Sequence, residues 1–105
     1  MGLFGSVSGK QVDEFATALA RELAQRCPPP FGDDGRRGDS AKRLARALED
    51  VFERAAGFRR LHKLGVYKKA RLGNTFRWEL KALGYDPKFV ETVTQSLVVR
   101  ISGRN

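Results

Sequence analysis

Apolar side chains return every three or four residues in four separate stretches of the chain. In the first, Val12, Phe15, Leu19 and Leu23 form a stripe with Ala16 and Ala20 beside it, the spacing of a helix that lays one face on a core. The preceding "SGKQ" has capping-box form: the Ser8 hydroxyl is placed to accept from the Gln11 amide while the Gln11 side chain reaches back, with Val7 and Val12 as a hydrophobic staple. The prolines of "CPPP" must end this helix, because each disfavours a helical residue ahead of it. The pattern therefore predicts a helix over 8–26.

A second stripe runs through Leu44, Leu48, Val51, Phe52 and Ala55, with Asp39 or Ser40 available as a cap. Gly57 weakens a helix by about 1 kcal/mol relative to Ala without forbidding it. Phe58, Leu61 and Leu64 can then extend the helix over 40–64, to a stop at Gly65. The last helix, 86–102, has Asp86 as its cap, Pro87 in its first turn and a Tyr85–Val90 staple. Its stripe is Val90, Val93, Leu97 and Ile101.

The third stretch, 67–84, contains "YKKARLGNTFRW". At roughly 100° per residue, Leu72, Phe76, Leu80 and Leu83 collect on one face, and Tyr67, Arg71, Asn74, Trp78 and Lys81 on the other. The alternative is a break at Leu72–Gly73–Asn74, with Asn74 capping a shorter helix whose first amides could bind an anion. Together these patterns predict an all-α fold. It is a compact bundle of about four helices in one domain, 1–105, with a flexible Pro/Gly-rich loop over 28–39 and frayed ends at 1–7 and 103–105.

Composition changes this picture little. Of 105 residues, 41% are apolar and 30% charged, close to ordinary globular usage and against wholesale disorder. Cys27 is the single cysteine and His62 the single histidine, so neither an intramolecular disulfide nor a zinc set is available, and a reducing, cytoplasmic setting is expected. His62, near the end of the second helix, reads as structural or surface. No apolar run approaches the ~20 residues that span a bilayer, and the start lacks the charged and apolar regions of a signal peptide. Neither export nor a membrane span is expected. Gly2 and Ser6 fit the short N-myristoylation pattern, against the plainer reading of a frayed terminus.

Charge changes the picture more. The net charge is +8, yet residues 58–85 alone carry Arg59, Arg60, Lys63, Lys68, Lys69, Arg71, Arg77 and Lys81 against Glu79, a local +7. Such a segment attracts phosphate, anionic lipid or an acidic protein face. The competing reading is that these side chains lie along a helix and keep their charges in water. An aromatic among cations can stack on a base while the cations hold phosphates. Asn74 adds a hydrogen bond to a base edge.

The expected function is a small basic nucleic-acid-binding domain contacting mainly phosphates through residues 59–81. Its candidate residues are Arg59, Arg60, Lys63, Lys68, Lys69, Arg71, Asn74, Arg77, Trp78 and Lys81, with Trp78 the stacking residue unless it packs on a second helix. The alternative is a helical protein–protein adaptor that binds an acidic partner or forms a homodimer. No Walker loop, dinucleotide-binding glycine motif, pair of carboxylates in an apolar setting or nucleophile–histidine set is present, so no catalysis, metal or cofactor is expected.

Overall fold

A computed structural model describes residues 7–29 and 38–102, in which each stripe becomes one helix: α1 (Gly9–Arg26), α2 (Gly38–His62), α3 (Val66–Leu83) and α4 (Pro87–Ser102). No strand occurs among the described residues. Most of the expected loop, both terminal segments except Val7, and the Gly2/Ser6 pattern lie outside them. Val7 is not part of a frayed end. It is buried in the core beside Val12, as a staple requires.

The caps follow the sequence closely at two of the helix starts. Ser8 Oγ accepts from the Gln11 amide at 3.1 Å and Gln11 Oε1 from the Ser8 amide at 2.9 Å. Asp86 Oδ2 accepts from the amides of Lys88 and Phe89 at the start of α4. Gly84, at φ 104°, closes α3 in a left-handed turn while the Tyr85 amide donates to the Leu80 carbonyl.

The end of α2 departs from expectation. The helix stops at His62, three residues before Gly65, and Lys63 takes the left-handed position at φ 49° while the Leu64 amide donates to the Arg59 carbonyl. This is the same closing turn as at Gly84, made here by a residue that has no glycine freedom. The shorter helix turns Leu64 into the core and leaves Leu61 74% exposed, so Leu61 does not continue the buried stripe.

α1 packs on α2 and α3, and α4 on the same two helices. Side-chain pairs fix the directions. Asp13 meets Arg71 and Cys27 meets Tyr85, so α1 and α3 run parallel. Arg77 meets Glu91, making α3 and α4 antiparallel with the short turn between them. Phe15 stacks on Phe58 with centroids 3.9 Å apart and Arg26 pairs with Asp50, so α1 and α2 are antiparallel. The result is an up-down-up-down bundle.

Its core is built from Val12, Leu19 and Leu23 of α1, Val51 of α2, Leu72, Phe76 and Leu80 of α3, and Val90, Leu97 and Ile101 of α4, all fully buried. Where the chain closes the core, the Tyr85 hydroxyl donates to the Cys27 carbonyl. Burial, and to a lesser degree Cys27, pushes Tyr85 up to about 12. Burial also raises the Cys27 thiol, against the opposing charges of Arg43 and Arg26.

Two interior glycines have opposite roles. A Cβ on Gly57 would meet nothing within 4 Å, whereas one on Gly73 would come 2.7 Å from Val98 Cγ2, where α3 and α4 approach closely. Gly57→Ala is expected to stabilise the fold by about 1 kcal/mol through helix propensity. Gly73→Ala gains the same propensity but compresses a β-branched neighbour at ~1–3 kcal/mol, giving a net loss of up to about 2 kcal/mol. Urea midpoints should move in opposite directions. A rise in both would show that α4 yields freely at Val98.

Candidate nucleic-acid interface

α3 is continuous through Leu72–Gly73–Asn74, so the break is not made and the Asn74 amide lies inside a helix rather than at its start. Gly73 is accommodated because its missing side chain lets α4 approach. The interior of α3 faces α1 and α4 through Leu72, Gly73, Phe76 and Leu80. The opposite face carries Val66, Tyr67, Ala70, Asn74, Trp78 and Lys81, all exposed. The sequence wheel is reproduced except at Arg71: Trp78 is 58% exposed and Tyr67 69%. Lys81 Nζ sits 5.2 Å from the centre of the Trp78 ring, where the ring quadrupole attracts it and where its charge stays close to anything stacked on the indole.

The remaining candidates do not form one surface. Arg71 leans across to α1, where its Nε and Nη2 each donate to an Asp13 carboxylate oxygen at 2.9 Å. Thr75 Oγ1 donates to the same carboxylate at 2.9 Å, and Arg71 Nη1 reaches the Tyr67 hydroxyl at 3.3 Å. This planar fork is the strongest form of the ion pair. Its hydrogen bonds from Arg71 lower the Asp13 pKa despite some desolvation, and the Arg71 pKa is raised in turn. Because Asp13 is depressed, the pair stabilises at neutral pH and is lost only as pH falls through the folded-state value, below the usual carboxylate range. Arg71 thus ties Tyr67 and α3 to α1.

Arg77 is likewise engaged, its Nε 2.7 Å from Glu91 of α4. The fold therefore brings two acids, Asp13 and Glu91, to a segment that has only Glu79 of its own, and a local +7 becomes +5. Lys68 and Lys69 are half-buried and, at roughly 100° and 200° around α3 from Tyr67, point away from the Trp78 face. Arg60 and Lys63 are exposed at the end of α2. Arg59 is half-buried, and its Nε has no hydrogen-bond partner among the described residues. His62 packs its ring at a tilt against Phe58, 4.6 Å between centroids, in keeping with a structural reading.

What remains outward is a narrow aromatic and polar strip along α3, Tyr67–Asn74–Trp78–Lys81, with Arg60 and Lys63 at the α2–α3 corner. Sequence reasoning did not find Asp13 or Glu91, which shape this surface from 14 or more residues away along the chain, or Thr75 within α3 itself. Nor did it find the exposed Leu61 and Val66 beside that corner. Among the described residues no group of three His, Cys, Asp or Glu could hold a metal ion, and no helix is long and apolar enough to cross a membrane. No protein-family model, curated protein or solved structure matches the chain significantly.

Proposed function

We propose that this chain binds nucleic acid, chiefly through phosphates, along the outward strip of α3 and the cations at the α2–α3 corner. The observation that carries this reading is Trp78: a large aromatic, more than half exposed, with Lys81 at its ring and Asn74 one turn away. A buried tryptophan would have supported packing alone. A tryptophan held outward among cations offers a π-face to a base and a charge to its phosphate. Lys63, Arg60 and Lys81 take phosphate oxygens, and Arg71 holds Tyr67 in place rather than contacting the ligand.

The test is a titration with single-stranded and duplex oligonucleotides at low salt, read by the fluorescence of Trp78, the only tryptophan in the chain. Quenching that saturates is the expected result for stacking, and Trp78→Ala, which removes the reporter and is followed instead by the anisotropy of a labelled oligonucleotide, should weaken binding by about 1–3 kcal/mol. Absence of binding at low salt would sink the proposal.

A second reading has its own observation. Leu61, Val66 and Tyr67 are 74%, 83% and 69% exposed within a seven-residue span that also contains Lys63. Apolar side chains ringed by cations suit an acidic, partly apolar protein partner. Oligonucleotide binding that is unchanged by Trp78→Ala and absent at moderate salt would favour this adaptor reading.

A further inference from the structure

The cations near the start of α2 raise a separate question. Lys42, Arg43 and Arg46 lie in its second and third turns, all exposed. The fold adds a fourth: Arg26, from the last turn of α1, joins them around a single open depression of about 330 Å³ whose lining residues are these four cations. Asp50 holds Arg26 at 2.8 Å, with Glu22 at 3.7 Å, so the guanidinium is fixed at the rim by carboxylates that are not themselves part of the lining. The Cys27 thiol beneath feels both Arg43 and Arg26, which oppose the rise that burial causes.

We propose that this depression is a binding site for a phosphate-bearing anion of pyrophosphate size. Three guanidiniums and an ammonium around one concavity call for several negative charges in a small volume. Guanidinium forks match the oxygen geometry of phosphates, each able to take two oxygens at once. The volume is at the lower end for small-ligand sites, enough for a diphosphate group. The site is remote from the α2–α3 corner, since Lys42–Arg46 and Arg59–Lys63 occupy opposite ends of α2, ~25 Å apart at 1.5 Å per residue; Trp78 and Lys81 share the site's end of the bundle but stand on α3, which packs on α1 and α4.

The experiment is a titration of the ¹⁵N-labelled full chain with inorganic pyrophosphate, followed by amide shifts against sodium chloride of equal ionic strength. Saturable shifts concentrated at residues 26–27 and 41–47 are expected. Arg43→Gln with Arg46→Gln, checked for helicity by circular dichroism, should weaken binding at least tenfold, while Lys63→Gln with Lys81→Gln should leave it unchanged. Shifts that chloride reproduces, or that both double variants reduce equally, would overturn the site. A competing oligonucleotide then separates two sources of the same phosphate chemistry. Displacement of pyrophosphate assigns the site to a polynucleotide backbone, and retention assigns it to a small phosphate compound. Because the α3 strip is read by Trp78 fluorescence and this site by amides of α2, either can fail alone.

Discussion

Phe76→Ala should be the most damaging single truncation in α3, while Trp78→Ala, two residues further on, should leave stability nearly untouched. Phe76 is fully buried and, among the described residues, the largest side chain to be so, on the face of α3 that meets α1 and α4. Removing its ring loses the transfer free energy of the ring and leaves a cavity that surrounding helices close only in part, at about 3–5 kcal/mol. Against a total of roughly 5–15 kcal/mol for an ordinary domain, that is enough to bring the chain near its unfolding threshold. Trp78, more than half exposed, has no comparable burial to lose. Its truncation is expected to stay within about 0.5 kcal/mol apart from the exposed Lys81 contact. Urea denaturation of both variants, followed by circular dichroism, checks the contrast. Equal destabilisation would mean that Trp78 is part of the packing, and the α3 strip would lose its central residue.

The sequence supplies half of that contrast: the helical period puts Phe76 and Trp78 on different faces, while the exposure of Trp78, which could equally have packed on a second helix, comes from the fold. Phe76 and Trp78 lie about 200° apart around an α-helix, so one cannot be buried by the same neighbours as the other. The caps are legible for a similar reason: Ser8, Gln11 and Asp86 act within a few residues of themselves, and local chemistry suffices to place them. The end of α2 is not. Gly65 is the residue that ordinarily takes a left-handed turn, yet Lys63 takes it, because burying Leu64 requires the chain to turn earlier. A tertiary demand of that kind overrides a local preference and leaves no mark in the sequence.

The charge pattern is legible in outline and misleading in detail. Averaging over 58–85 locates a basic segment, but Asp13 and Glu91 reach it from α1 and α4, and nothing in their own surroundings marks them as partners of Arg71 and Arg77. The same averaging conceals the opposite case. Residues 41–57 sum to only +1 because Glu49, Asp50 and Glu53 offset three of the four cations Lys42, Arg43, Arg46 and Arg54. The helix sets Lys42, Arg43 and Arg46 ahead of the acids along its axis, and Arg26 arrives from another helix. Charge that is sequential in the chain need not be adjacent on the surface, and only the packing of helices decides which charges meet.

The ion pairs also set how steeply nucleic-acid binding should depend on salt. Each phosphate neutralised releases counterions, with a slope of log K against log salt of about −0.7 per contact for single strands. Were all eight cations of 58–85 to act, the slope would be about −5.6. With Arg71 and Arg77 held by Asp13 and Glu91, six are left, and the slope should not exceed about −4.2 in magnitude, or a loss of a few hundredfold between roughly 50 and 200 mM salt. Asp13→Asn provides the internal check. It releases Arg71 from its bidentate partner at a small cost in stability, because solvent screens a half-exposed pair. The freed guanidinium should steepen the slope by about 0.7 and tighten binding at low salt, whereas Lys63→Ala or Lys81→Ala should flatten it by the same amount. A slope near −5.6 in the unaltered chain, roughly the eight-contact value, would mean that the ligand draws Arg71 and Arg77 away from their carboxylates. A slope near zero would mean that phosphates are not what this surface holds, and the exposed Leu61, Val66 and Tyr67 would then point to an apolar protein contact instead.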